Sequence, residues 1–253
     1  MMPEFIVAGL WGLVSGSGLL VGATIADAFF GRLTHRMIAA IMGFGGGVLI
    51  AVVATELIGG RHPAGLGPLA ILALLAGAAI FSGNNWYLAR RGAKHRKRCG
   101  ECTEQPSERQ HQGSGTAIAL GSVLDGIPEA LVIGMSVAGG GKISLAVVAG
   151  FFLANVPQGL SSASGMKLAG RSRRYIYAVW IGIPVLVCIA AGAGNFVLGS
   201  AETLAPAILS FAAGAVIAML AETMIPEAFE KAPPFIGLIT VMGFLAAYLL
   251  AQH

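Results

Sequence analysis

Charge is what this sequence has least of. Asp, Glu, Lys and Arg make up 11% of its 253 residues, against about 25% in soluble domains. With 56% hydrophobic residues and a mean hydropathy of +0.78, that deficit excludes an ordinary soluble domain and indicates a membrane protein. Cysteine is scarce as well, and three residues make no disulfide framework. Cys188 lies inside an apolar run, where packing is its expected role, whereas Cys99 and Cys102 form a CxxC in a basic stretch. The opening Met1-Met2-Pro3-Glu4 lacks the Lys or Arg of a signal peptide's first region, so no cleavable signal is expected. No G-x-x-x-x-G-K-[ST] loop is present to cradle the phosphates of ATP. Histidine is missing from the apolar runs, all five residues (35, 62, 95, 111 and 253) lying between or beyond them. The net charge of +4 is carried between apolar runs, which points to loops at a membrane surface and not to nucleic acid.

Long apolar runs are abundant. A helix needs about 20 apolar residues to cross the hydrocarbon. Eight segments qualify, roughly 5–26, 37–58, 66–88, 116–138, 144–166, 175–198, 203–224 and 235–251. The expected fold is all-α, a polytopic membrane bundle of eight transmembrane helices forming a single domain over 1–253, with one long polar loop at 89–115. The 37 glycines suit close helix approach, and Gly12-x-x-x-Gly16 and Gly43-x-x-x-Gly47 have the spacing for it. If the N-terminus is outside, 14 of the 16 Lys and Arg residues fall in inner loops and only Arg61 and Lys142 in outer ones. Both termini are therefore expected outside, and loop 89–115 in the cytoplasm.

Against this background, the polar residues inside the runs stand out. Asp125-Gly126-Ile127-Pro128-Glu129-Ala130-Leu131 puts two acids inside the fourth run. Each is unfavourable there by about 2.5 to 3.5 kcal/mol on the insertion scale, and such residues mark ion or substrate paths. No Lys or Arg falls within the runs, so the spans supply no cation to balance them. Asp125 and Glu129 are four apart and share a helix face, and Pro128 releases the Leu124 carbonyl beside them. Freed carbonyls and carboxylates are ligands for hard cations; the competing reading is a plain kinked helix with protonated acids.

The fifth run carries a degraded copy, Asn155-Val156-Pro157-Gln158-Gly159-Leu160, offset by 29 residues. Counted from their span ends at about 1.5 Å per residue, both pairs fall near mid-membrane. Four oxygen-bearing side chains can thus gather around one point. Glu222 precedes a second Ile-Pro-Glu-Ala at 225–228 and is a further candidate. Glu56, near the outer end of the second run, reads either as a ligand at the mouth or as an interfacial residue reaching water. Asp27 and Glu202, at run ends, are expected to be ordinary. An oxygen-only site suits Mg, Ca and Mn, since zinc usually takes nitrogen or sulfur.

Eight spans, outside termini, a polar loop after the third span and proline-flanked polar motifs in spans four and five resemble the ZIP (Zrt/Irt-like) divalent metal transporters, especially their bacterial GufA-like branch. The resemblance covers most of the chain, and its specific part is 125–131, 154–160 and 221–228. The family's span-four pattern is His-Asn-x-Pro-Glu-Gly; here its positions hold Asp125, Gly126, Pro128, Glu129 and Ala130. The imidazole becomes a carboxylate, the second ligand is lost and Glu129 is kept. In span five the bridging glutamate has become Gln158, and the acid of a span-six Glu-Pro pair is absent before Pro184.

The resemblance implies a carrier for Zn, Mn, Fe, Cd or Co, with the metal as cargo and no resident cofactor. One metal site is expected, centred on Asp125 and Glu129 with Asn155 and Gln158 as neutral ligands, and Glu222 and Glu56 are the further candidate metal ligands. In the family the long loop often binds metal; here His95, Cys99, Cys102 and His111 would do so, the other reading being a basic loop held by anionic lipid. Partners are the metal ion and the lipid bilayer of the cell (inner) membrane, with a homodimer left open. The alternatives are a non-transporting sensor or scaffold and an intramembrane enzyme.

Overall fold

The computed structural model describes residues 2–59, 66–93, 114–138, 144–198, 202–230 and 232–252. Among them every regular element is helical, and the fold is an all-α bundle. The helices are α1 (Glu4–Ala28), α2 (His35–Val52), α3 (Pro68–Leu88), α4 (Ser114–Val137), α5 (Leu145–Leu168), α6 (Arg173–Leu198), α7 (Ala205–Met219), α8 (Ile225–Glu230) and α9 (Ile236–Leu250). A π-helical turn, Leu220–Met224, joins α7 to α8 as one rod, and others extend α2 over Val53–Gly59 and α3 over Ala89–Ala93. Seven of these rods are long and apolar enough to cross a membrane. The eighth, α9, is apolar but has 15 residues, about 22 Å of helix at the usual rise. Large side chains such as Leu72, Ile189, Phe196 and Leu238 lie exposed on the outer surface, as suits a membrane-embedded bundle.

The expected boundaries agree with the helices to within a few residues, except after the third and seventh spans. There α3 runs on through its π-turn to Ala93, and α7 runs on through its π-turn and α8 to Glu230. His95, Cys99, Cys102 and His111 lie outside the described residues, as do Arg61 and Lys142.

The rods sort into two groups. α1, α4, α5 and α6 pack together, and α2, α3, α7 with α8, and α9 pack together. The groups meet where α2 lies on α5 and where α4 lies on α7 and on the extended end of α3. Hydrophobic sorting between helix and lipid cannot drive this assembly, because tails are as apolar as leucine; close packing of small residues does.

Three helix pairs use one device. Gly22 of α1 faces Gly159 of α5, Gly47 of α2 faces Gly243 of α9, and Gly77 of α3 faces Gly214 of α7. A Cβ on any of the six would fall 1.9–2.0 Å from the carbonyl oxygen of the residue three before its partner glycine. These carbonyls are Val156, Leu19, Thr240, Phe44, Phe211 and Leu74. Gly43 and Gly47 both face α9, and Gly12 and Gly16 both face α6, so the two spaced glycine pairs legible in sequence are contact faces.

At the basic end of the bundle the helices outrun the apolar segments. Lys167 sits in the last turn of α5, and Arg173 opens α6. Both bind Asp27 of α1, Lys167 Nζ at 2.6 Å from Oδ1 and Arg173 at 2.6 Å from Oδ2. Tyr177 donates to the same carboxylate at 3.2 Å. Asp27 is therefore not an ordinary end residue: it ties three helices of one group together.

Candidate metal site

Pro128 and Pro157 sit inside α4 and α5, and both helices run on through them. On α4, Ser122, Asp125, Gly126 and Glu129 repeat at helical spacing along one face; on α5, Asn155, Gln158 and Ser162 do the same. These two faces meet in a narrow pocket, completed by Leu19 of α1 and by Trp180 and Val187 of α6. Every lining residue belongs to the α1/α4/α5/α6 group. The four polar side chains expected at one point are here together, and all are buried: Asp125 4% exposed, Glu129 1%, Asn155 3% and Gln158 2%.

Their hydrogen bonds assign them different parts. Asn155 Nδ2 donates to Glu129 Oε2 at 2.8 Å and to the Ser15 carbonyl at 3.3 Å. A backbone carbonyl only accepts, so it must face the amide's nitrogen. Gln158 Nε2 in turn donates to Asn155 Oδ1 at 3.4 Å and to the Ala154 carbonyl at 3.3 Å. The amides therefore form a relay that ends in one N–H on Glu129. Asn155 was expected as an oxygen ligand; here one lone pair of its oxygen accepts from Gln158. Gln158 lines the pocket and donates its N–H groups to the Ala154 carbonyl and Asn155 Oδ1. The oxygen-bearing side chains that line the pocket are two carboxylates, two amides and the hydroxyls of Ser122 and Ser162. Among the described residues no three His, Cys, Asp or Glu side chains converge, so this set is richer in neutral oxygen than in charge.

At Gly126 an added Cβ would lie 2.8 Å from Val187 Cγ2 of α6, so a longer side chain there would have to displace that methyl.

Glu222 and Glu56 lie elsewhere, both in the other helix group and both in π-turns. Glu222 accepts from Ser82 Oγ and, at 2.6 Å, from Asn85 Nδ2 of α3. Glu56 is half-buried in the Val53–Gly59 turn. Neither lines the pocket. Beside each, a threonine bonds back one turn: Thr55 to the Ala51 carbonyl at 2.9 Å and Thr223 to that of Met219 at 2.7 Å. π-turns of this kind often mark functional positions. Trp180 and Ser162 were not foreseen as site residues; nothing in their own segments sets them apart from packing residues.

Compared with known proteins, the chain matches no family model and no curated protein.

Proposed function

We propose that this chain carries a divalent metal cation across a membrane, binding it between α4 and α5. The observation that carries the reading is the convergence of Asp125, Glu129 and Gln158 in one buried pocket. Carboxylates are kept at such depth when they serve a path for ions or protons. Two negative charges balance one doubly positive ion. All the lining residues ride on one helix group, which supports a motion in which that group rocks against the other and opens the pocket to each side in turn. Transport then runs down a gradient or with protons. Zn, Mn, Fe, Co and Cd are the cations to compare, and the protein is a carrier and not an enzyme.

Uptake into proteoliposomes, measured for these five ions in parallel, tests the reading. Saturable uptake of at least one is expected. Binding without flux would instead assign a sensor or scaffold.

The proposed topology has both termini outside a cell membrane and residues 94–113 inside. A membrane-impermeant maleimide should label Cys99 and Cys102 in inverted vesicles and leave them unlabelled in intact cells. Labelling in intact cells would reverse the orientation.

A further inference from the structure

A bare cation leaves one group in the pocket unexplained. Trp180 of α6 lines it and is 1% exposed. Its indole Nε1 is buried and has no hydrogen-bond partner among the described residues. An indole N–H only donates, and buried donors are almost always met by a protein acceptor or by ordered water. A metal ion repels the positive end of that dipole. What Trp180 requires is therefore an oxygen. No oxygen of the described residues accepts from it: Glu129 Oε2 receives Asn155, and Asn155 Oδ1 receives Gln158. A second buried polar atom, on the residue whose carbonyl holds Asn155, is also without a partner. Ser15 Oγ, 0% exposed, has no partner, and the Ser15 carbonyl accepts from Asn155. An anion is a poor answer in a pocket that already holds two carboxylates. Water fits, because a water bound to a cation through one lone pair still has another with which to accept.

We propose that the cation held here keeps a water ligand, and that Trp180 Nε1–H holds that water. This rests on the metal-carrier reading and narrows its cargo. Carboxylate, amide and water oxygens suit hard ions that shed their hydration shell incompletely, such as Mn and Mg, and suit tetrahedral zinc less. Trp180 is then a positioning residue that reaches the metal through its ligand, as outer-shell hydrogen bonds do at other metal centres.

The test uses the purified full chain loaded with Mn²⁺, with electron–nuclear double resonance recorded in H₂O and in D₂O. Wild type should show exchangeable water protons on the bound Mn²⁺. Trp180→Phe keeps an aromatic ring and loses the N–H. It should raise the Mn²⁺ dissociation constant about 10- to 100-fold, the usual loss for an outer-shell partner, alter the water signal and leave Zn²⁺ binding nearly unchanged. A wild-type spectrum without exchangeable protons overturns the retained water and leaves the metal site standing. An unchanged constant and spectrum in Trp180→Phe overturn the part given to Trp180. If wild type binds no Mn²⁺, Zn²⁺, Fe²⁺, Co²⁺ or Cd²⁺ at all, the carrier reading beneath falls as well.

Discussion

Glu129→Ala should abolish metal uptake and leave the bundle as stable as before, or more so. Both halves follow from where the side chain lies. Glu129 is 1% exposed and lines the pocket next to Asp125. On the proposed carrier reading, removing it deletes half of the negative charge that would balance a divalent ion. The loss in uptake should exceed the roughly 10- to 100-fold seen when only a supporting residue of a metal site is changed. Stability moves the other way, because an acid at membrane depth costs about 2.5 to 3.5 kcal/mol on the insertion scale. Asn155 keeps its bond to the Ser15 carbonyl when Glu129 is gone, so the amide relay does not come apart. Uptake into proteoliposomes and thermal melting of the helical signal, measured on the same preparation, separate the two effects. Wild-type uptake would remove the pocket from the transport path. Lost uptake with a collapsed melt would make Glu129 a structural residue.

Much of this arrangement could be read from the chain because two of its signals are strong and local. A run of some 20 apolar residues has few options other than a helix, so the rods were legible nearly to their ends. Acids four apart, or amides three apart, share a helix face whatever surrounds them, so the meeting of Asp125 and Glu129 with Asn155 and Gln158 was legible too. What escaped depends on partners far along the chain. The polarity of the Asn155 amide is decided by the Ser15 carbonyl, 140 residues away. Trp180 reads as packing until α6 is seen against the pocket. Glu222 was singled out by the Ile-Pro-Glu-Ala that follows it and Glu56 by its place near a run end, yet both belong to π-turns in the other group, which no hydropathy pattern announces. Asp27 looked idle because Lys167 and Arg173 reach it only once α1, α5 and α6 have come together.

Gly159→Ala should cost more than its single methyl group suggests. In the middle of an ordinary helix, alanine for glycine is favourable by about 1 kcal/mol. Here the new Cβ would stand 2.0 Å from the Leu19 carbonyl oxygen, with the Leu19 carbonyl carbon at 2.7 Å and Cα at 2.8 Å. Ordinary contact begins at 3.4 Å. All three neighbours are backbone, and none can swing aside as a side-chain tip would. α1 and α5 must therefore part, and overpacking of this sort costs about 1–3 kcal/mol. Gly18 and Gly22 of α1 rest on α5 just as closely, at the Phe152 and Val156 carbonyls, so one displaced contact loosens the others. The effect should reach the pocket, because Gly159 adjoins Gln158 and Leu19 lines the same wall. A lower melting midpoint and weaker metal uptake are expected together. Gly83→Ala is the matched control: it lies in α3 with nothing within 4 Å of the added Cβ, and should melt at or above wild type. If the two variants melt alike, α1 and α5 are not held by backbone contact, and the wall that α1 gives the pocket has some other support.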